Sequence, residues 1–166
     1  EEHIPNYFNE NWLKMSEVHK LLKIKLKKTN ITDYISVCYG DTDSLYLSYD
    51  NLLNTIDGIE NWTLAEKTKF IVKLNQEFLD KHNKVFMDEY YKTRFAKSIQ
   101  EFELETVALS GVWLDVKKRY AQILLWKDGK FYDEDDLPMK IKGLEMVKSS
   151  YPKQAREGLK RVVRYF

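Results

Sequence analysis

Ile35-Ser36-Val37-Cys38-Tyr39-Gly40-Asp41-Thr42-Asp43-Ser44-Leu45-Tyr46-Leu47-Ser48 is the stretch from which the fold of this chain is read. Its first five residues are an apolar run and its last four alternate, both with the β-branched and aromatic content of strands. Gly40-Asp41 between them is turn chemistry, so the stretch predicts a tight β-hairpin with two carboxylates at its tip. Side chains at i and i+2 of an extended segment share a face, so Asp41 and Asp43 can turn their oxygens toward one point. Like charges that close need a cation or a proton between them, and all-oxygen coordination is what Mg²⁺ prefers. The plainer alternative is that both aspartates are turn residues bonded to their own backbone.

Outward from the hairpin, composition sets the bounds. The chain has 166 residues, enough for one domain or a piece of a larger one with a buried core. Its 11 Tyr, 8 Phe and 4 Trp make it rich in aromatics. A net charge of +1 excludes a strong global field, so any nucleic-acid surface must come from local clustering of Lys and Arg. The single cysteine, Cys38, excludes an intramolecular disulfide framework and a Cys-rich zinc site, and is expected in the core. No run of about 18 apolar residues is present, so no transmembrane helix and no membrane partner are expected. The acidic N-terminus lacks the regions of a signal peptide. These features predict a soluble intracellular protein.

Before the hairpin, Phe8, Trp12, Met15, Val18, Leu22 and Leu26 recur at helical spacing and predict a helix over 6–28. Its end, Lys23 to Lys28, is basic and complements the helix dipole. After the hairpin, 51–61 reads as a connection. Thr63-Leu64-Ala65-Glu66 has the spacing of a capping box, and a helix to about Arg94 is expected to follow. Its stripe of Phe70, Ile71, Leu74, Phe78, Val85 and Phe86 marks a face laid on a sheet. From Gln100 the pattern is extended, with Glu101, Glu103 and Glu105 on one face; Ser110-Gly111 breaks the run and Val112 to Val116 resumes it.

Lys117-Lys118-Arg119-Tyr120 then precedes the apolar run Ala121 to Trp126. Alternation would put Lys118 and Tyr120 on one face and Lys117 and Arg119 on the other. A cation beside an aromatic hydroxyl can hold a sugar-phosphate backbone or reach a minor groove, while a charged edge strand that prevents aggregation is the competing reading. Lys127-Asp128-Gly129-Lys130 predicts a second hairpin, Phe131 to Asp136 an acidic loop, and Met139 to Glu145 a short extended segment. Ser150 and Pro152 are placed to open a basic amphipathic helix over 154–166. That helix is expected to run out without a C-cap, as if more protein followed.

Three separated pieces together resemble a family. Tyr39-Gly40-Asp41-Thr42-Asp43-Ser44, Lys117-Lys118-Arg119-Tyr120 and Lys142-Gly143-Leu144-Glu145 are similar, in order and spacing, to three motifs of family B DNA polymerases. The runs around Lys140 to Glu145 and Lys148 to Lys153 are closest to T-even phage replicative polymerases. The resemblance implies an α+β fold: the antiparallel β-sheet of a polymerase palm, with two long helices packed on one face, followed by the first helix of the thumb. Residues 1–141 would be a partial palm domain and 142–166 the passage to the thumb. The sheet would be built from the carboxylate hairpin and strands around Phe102, Trp113 and Ile123.

The implied activity is that of a DNA-directed DNA polymerase, template-directed nucleotidyl transfer by two Mg²⁺ ions. Asp41 and Asp43 would be catalytic metal ligands, with Asp43 also at the incoming nucleotide, and Glu105, or Glu103 in its place, a further palm acid. Thr42, Lys117, Lys118, Arg119, Tyr120, Lys142, Gly143 and Lys148 would contact DNA, with Lys118 and Tyr120 nearest the minor groove of the terminal base pair. That groove offers similar acceptors for every correct pair, so contacts there can test geometry without reading sequence. Partners would be primer–template DNA and deoxynucleoside triphosphates, in the cytoplasm of a bacterial host if the chain is phage-encoded.

The family's first motif, Asp-x-x-Ser-Leu-Tyr-Pro-Ser, and its second, Lys-x-x-x-Asn-Ser-x-Tyr-Gly, do not occur here. In the family they and the exonuclease domain precede the position where this chain begins, so the isolated chain is expected to be inactive and to need those segments as a partner. The alternative is a non-catalytic duplex-DNA-binding subunit of a split polymerase.

Overall fold

The computed structural model describes residues 34–41, 44–94, 97 and 101–165. The helix expected over 6–28, and Thr42 and Asp43, lie outside them. The chain divides into two compact units, one made of Glu1–Tyr34 with Asp50–Leu104 and the other of Ile35–Tyr49 with Glu105–Phe166. It mixes helix with antiparallel sheets, as the α+β expectation requires.

The first unit is helical in its described part. Residues 51–61, expected as a plain connection, contain a short helix α1 (Asp50–Asn54) and a tight turn at Ile59–Asn61. Leu52, Thr55, Ile56 and Ile59 are buried there, and their apolar content holds the segment in place. Helix α2 (Leu64–Leu74) opens on the expected capping box. The Thr63 hydroxyl accepts the Glu66 N–H at 3.2 Å, and Glu66 accepts the Thr63 N–H at 2.7 Å. Such a cap contributes about 1 kcal/mol to its helix. The helix continues through a wide turn at Asn75–Leu79 into α3 (Asp80–Lys92). Phe70, Ile71, Leu74 and Phe78 are buried as expected, whereas Val85 is 58% exposed. No residue of α3 is buried and Phe86 is half-buried, so the buried stripe ends at the wide turn.

In the second unit, β1 (Ser36–Asp41) and β2 (Ser44–Ser48) pair antiparallel as the expected hairpin. They form a two-stranded sheet of their own rather than joining the larger one. Val37 pairs with Leu47 and Tyr39 with Tyr46, which leaves Cys38 as the surplus residue of a bulge. Cys38 is exposed, not in the core, as are Ser36 and Val37 before it in the same strand, so among the described residues nothing covers this end of β1 on either face.

The second sheet has four strands: β3 (Thr106–Trp113), β4 (Tyr120–Lys127), β5 (Lys130–Phe131) and β6 (Met139–Lys142). β3 lies on one edge of β4; β5 and β6 share the other. The ladder starts at Thr106, so the segment around Phe102 is not a strand. Ser110-Gly111 does not break β3. The strand runs through with bulges on either side of Ala108, and the Trp113 indole lies over Gly111 where a Cβ would collide with it. The Asp128-Gly129 hairpin is as expected, both residues at positive φ, 45° and 87°.

Residues 142–166 pack within this unit. Ala121, Leu144 and Met146 form a buried cluster against which Ile141 and Val163 pack. The last helix, α4 (Lys153–Val163), has Pro152 and not Ser150 at its N-cap, and it closes at Val163.

Candidate nucleic-acid and carboxylate site

Strand alternation places Asp41 on the same face of the hairpin as Tyr39. Across the ladder Tyr39 pairs with Tyr46 and Asp41 with Ser44, so these four share one face. Leu45, on the other face, is 54% exposed. Tyr39 and Tyr46 meet edge-on with ring centroids 5.6 Å apart. Both rest on Trp113, at 6.5 and 5.4 Å, and Tyr46 also meets Tyr120 at 5.6 Å. The hairpin is thus held on the four-stranded sheet by a cluster of four aromatic rings, each such pair being worth about 0.5–1.5 kcal/mol beyond its burial. Burial, reinforced by a hydrogen bond with Tyr120, pushes the Tyr46 phenol up to about 12.

The basic motif is a turn. Leu114 donates its N–H to the Arg119 carbonyl at 3.0 Å, and Lys118 has a φ of 61°, so the strand alternation expected over 117–120 does not hold. The left-handed region costs a non-glycine residue roughly 1–2 kcal/mol, which surrounding contacts must offset. Three of them converge here. The Lys118 N–H donates to the Tyr39 hydroxyl at 3.4 Å. Gly143, itself at φ 67°, comes so close under the Lys118 carbonyl that a Cβ would collide with it and stand 3.1 Å from Arg119 Cγ. Arg119 Nε donates to the Gly143 carbonyl at 3.1 Å, and its guanidinium pairs with Glu145. Glu145 also takes Lys148 Nζ at 3.3 Å, and its own backbone N–H, then Lys148 and Arg119, hold its carboxyl below the usual range.

The second and third motifs are therefore neighbours in space. Tyr120 pairs with Trp113 on one side and with Lys142 on the other. Lys117, Lys118, Lys142 and Lys148 are exposed, Arg119 and Gly143 are half-buried, and Tyr120 is 5% exposed. Glu105 is engaged by Lys140, whose Nζ lies 2.7 Å from its Oε1. That hydrogen bond holds the Glu105 carboxyl below its usual range. Glu103 lies in the first unit, outside any strand. Tyr39, Tyr46, Trp113, Lys140 and Glu145 belong to the same assembly although sequence reading assigned them no role; the shared parity of Tyr39 with Asp41 and of Tyr46 with Ser44 was the signal for two of them.

Among the described residues no group of three His, Cys, Asp or Glu side chains stands ready to hold a metal ion. No helix of the described residues is long and apolar enough to cross a membrane. No protein-family model matches the chain. A DNA-directed DNA polymerase of Escherichia phage RB69 is 30% identical to it over 144 residues, 77% of this chain and 15% of that polymerase. The chain spans 15% of the length of this relative, and it is a distant homologue of a DNA polymerase.

Proposed function

We propose that the chain is part of the catalytic palm of a family B DNA polymerase of the T-even phage type, 1–141 belonging to the palm and 142–166 to its passage into the thumb. The observation that carries this reading is the assembly of the three motifs in one compact unit, with Tyr39 of the carboxylate hairpin bonded to Lys118 of the basic turn, and Arg119 of that turn bonded to Gly143 and Glu145. The similarity to a phage polymerase supports it independently.

Asp41 and Asp43 supply the hard oxygen donors that Mg²⁺ takes, and substrate phosphates or another segment would have to complete the shell. Glu105, bonded to Lys140, would join only by giving up that partner. When bound, Mg²⁺ ions at such a site lower the pKa of a nucleophilic hydroxyl and stabilise the charge on the departing phosphate. The chain's own residues would position the duplex. Lys117, Lys118, Lys142 and Lys148 would reach its phosphates, and Thr42 lies between the two aspartates in sequence. Tyr120, 5% exposed and packed on Tyr46, would meet a base pair only if that packing opened. The chain alone would not polymerise, because the segments carrying the family's first two motifs would have to join it.

Primer extension with Mg²⁺ or Mn²⁺ tests this. The isolated chain is expected to incorporate no nucleotide, and a chain carrying the first two motifs is expected to restore activity that Asp43→Ala abolishes. Unchanged activity in Asp43→Ala would remove Asp43 from the site. The exposed Lys117, Lys118 and Lys142 also support a second reading, a duplex-binding subunit without chemistry of its own; salt-sensitive duplex binding indifferent to divalent ions, with no activity on reconstitution, would favour it.

A further inference from the structure

Resemblance groups Arg119 with its lysine neighbours as a DNA contact, but its surroundings differ from theirs. Lys117 and Lys118 are exposed, whereas the Arg119 side chain is 29% exposed and directed into the protein. Its Nε is bonded to the Gly143 carbonyl, and its guanidinium to Glu145, which is anchored in turn by Lys148. A planar guanidinium can bond a carbonyl and a carboxylate at once, and a lysine ammonium cannot reproduce that fork. The turn that it closes holds Lys118 at a left-handed φ of 61°, a conformation that persists only where neighbours enforce it. Gly143 packs against the carbonyl of that same residue. The two loops therefore interlock: Gly143 supports Lys118, and Arg119 ties Gly143 and Glu145 to the turn.

We propose that Arg119 is a positioning residue: bonded to Gly143 and Glu145, it fixes the turn that presents Lys117 and Lys118 to a nucleic-acid backbone and does not itself touch that backbone. This rests on the DNA-binding reading above. It separates two roles within four consecutive residues, since the lysines carry the salt-dependent attraction and Arg119 sets where that charge stands.

The test is the affinity of the full chain for a fluorescein-labelled primer–template duplex, measured by anisotropy over a range of KCl concentrations, with thermal midpoints alongside. Arg119→Lys keeps the charge and loses the fork. It is expected to weaken binding about tenfold, a coupling usual for residues in contact. In a Lys117→Ala/Lys118→Ala background the same change is expected to cost much less, because the two lysines that the turn presents are gone. Removing the two lysines should lower the slope of log affinity against log salt by up to ~0.9 each, whereas Arg119→Lys should leave that slope unchanged. Equal losses in both backgrounds, an Arg119→Lys chain that binds as tightly as the unaltered one, or a loss that only follows the unfolded fraction would overturn the positioning role and leave the DNA-binding reading intact. Absence of salt-dependent duplex binding by the unaltered chain would overturn both.

Discussion

The phenol oxygen of Tyr39 accepts the backbone N–H of Lys118 at 3.4 Å. The bond is long and Lys118 is exposed, so water can replace the acceptor. Tyr39→Phe keeps the ring on Tyr46 and Trp113 and is expected to cost under about 1 kcal/mol in urea unfolding, with faster amide exchange at Lys118. Tyr39→Ala also removes the ring contacts and is expected to cost about 1–3 kcal/mol. Equal costs for the two variants would show that the ring contributes nothing.

Gly143 meets two requirements at once, a positive φ and the absence of a Cβ beneath the Lys118 carbonyl. Gly143→Ala should destabilise the second unit by about 2 kcal/mol or more, the left-handed cost plus the collision. Calorimetry or urea unfolding measures it. Gly158, where a Cβ meets nothing within 4 Å, is the control: inside α4, Gly158→Ala should stabilise by roughly 0.5–1 kcal/mol.

Tyr46 should be slow to ionise in alkaline titration. Burial, then the hydrogen bond with Tyr120, raises its pKa in the folded state to about 12, against 10.0 for a free phenol. The folded state then holds a proton that the unfolded state releases, so stability is unaffected below about pH 10 and falls as pH rises from there toward about 12. Tyr46→Phe should lack this component of the alkaline loss. Absorbance at the phenolate band, followed with unfolding by circular dichroism, checks both; ionisation of Tyr46 in the folded protein at pH 10 would contradict the assignment.

Lys140 sets the charge state of Glu105. Its hydrogen bond lowers the Glu105 pKa, so the stability this pair contributes is present above the free carboxylate value and fades as pH falls through the lowered one. Lys140→Met should return the Glu105 pKa upward in a carboxyl-carbon NMR titration and flatten the acid limb of the stability curve. An unmoved Glu105 resonance would show that some other group holds it.

How much of this could be read beforehand depended on whether a feature is written locally. The carboxylate hairpin, the Thr63–Glu66 box and the Asp128-Gly129 turn are each specified by a few adjacent residues, and each is present. The misses are register events and long-range pairings. The surplus residue at Cys38, the bulges around Ala108 and the wide turn at Asn75–Leu79 leave no mark on a periodic pattern, because one extra residue looks the same as none until the partner strand is known. The basic motif reads as strand because its residues tolerate strand. What bends it is Gly143 and Glu145, 24 and 26 residues beyond Arg119. Of the proposed site, then, the residue types were legible, whereas the inward direction of Arg119 and the hold of Lys140 on Glu105 were not.

The two sheets of the second unit meet through rings and not through a shared ladder. Strands in one ladder exchange register errors, because a slip of one residue turns every side chain on the next strand to the opposite face. Rings do not pass on such a slip. The pairing of Asp41 with Ser44 is set within the hairpin itself, while an insertion or deletion in β3 would act on the hairpin by turning Trp113 away and one in β4 by displacing Tyr120. The ladder of the segment that bears the carboxylates is thus independent of length changes in the sheet beneath it, and the seat of that segment depends on two rings, the Trp113 indole and the Tyr120 phenol.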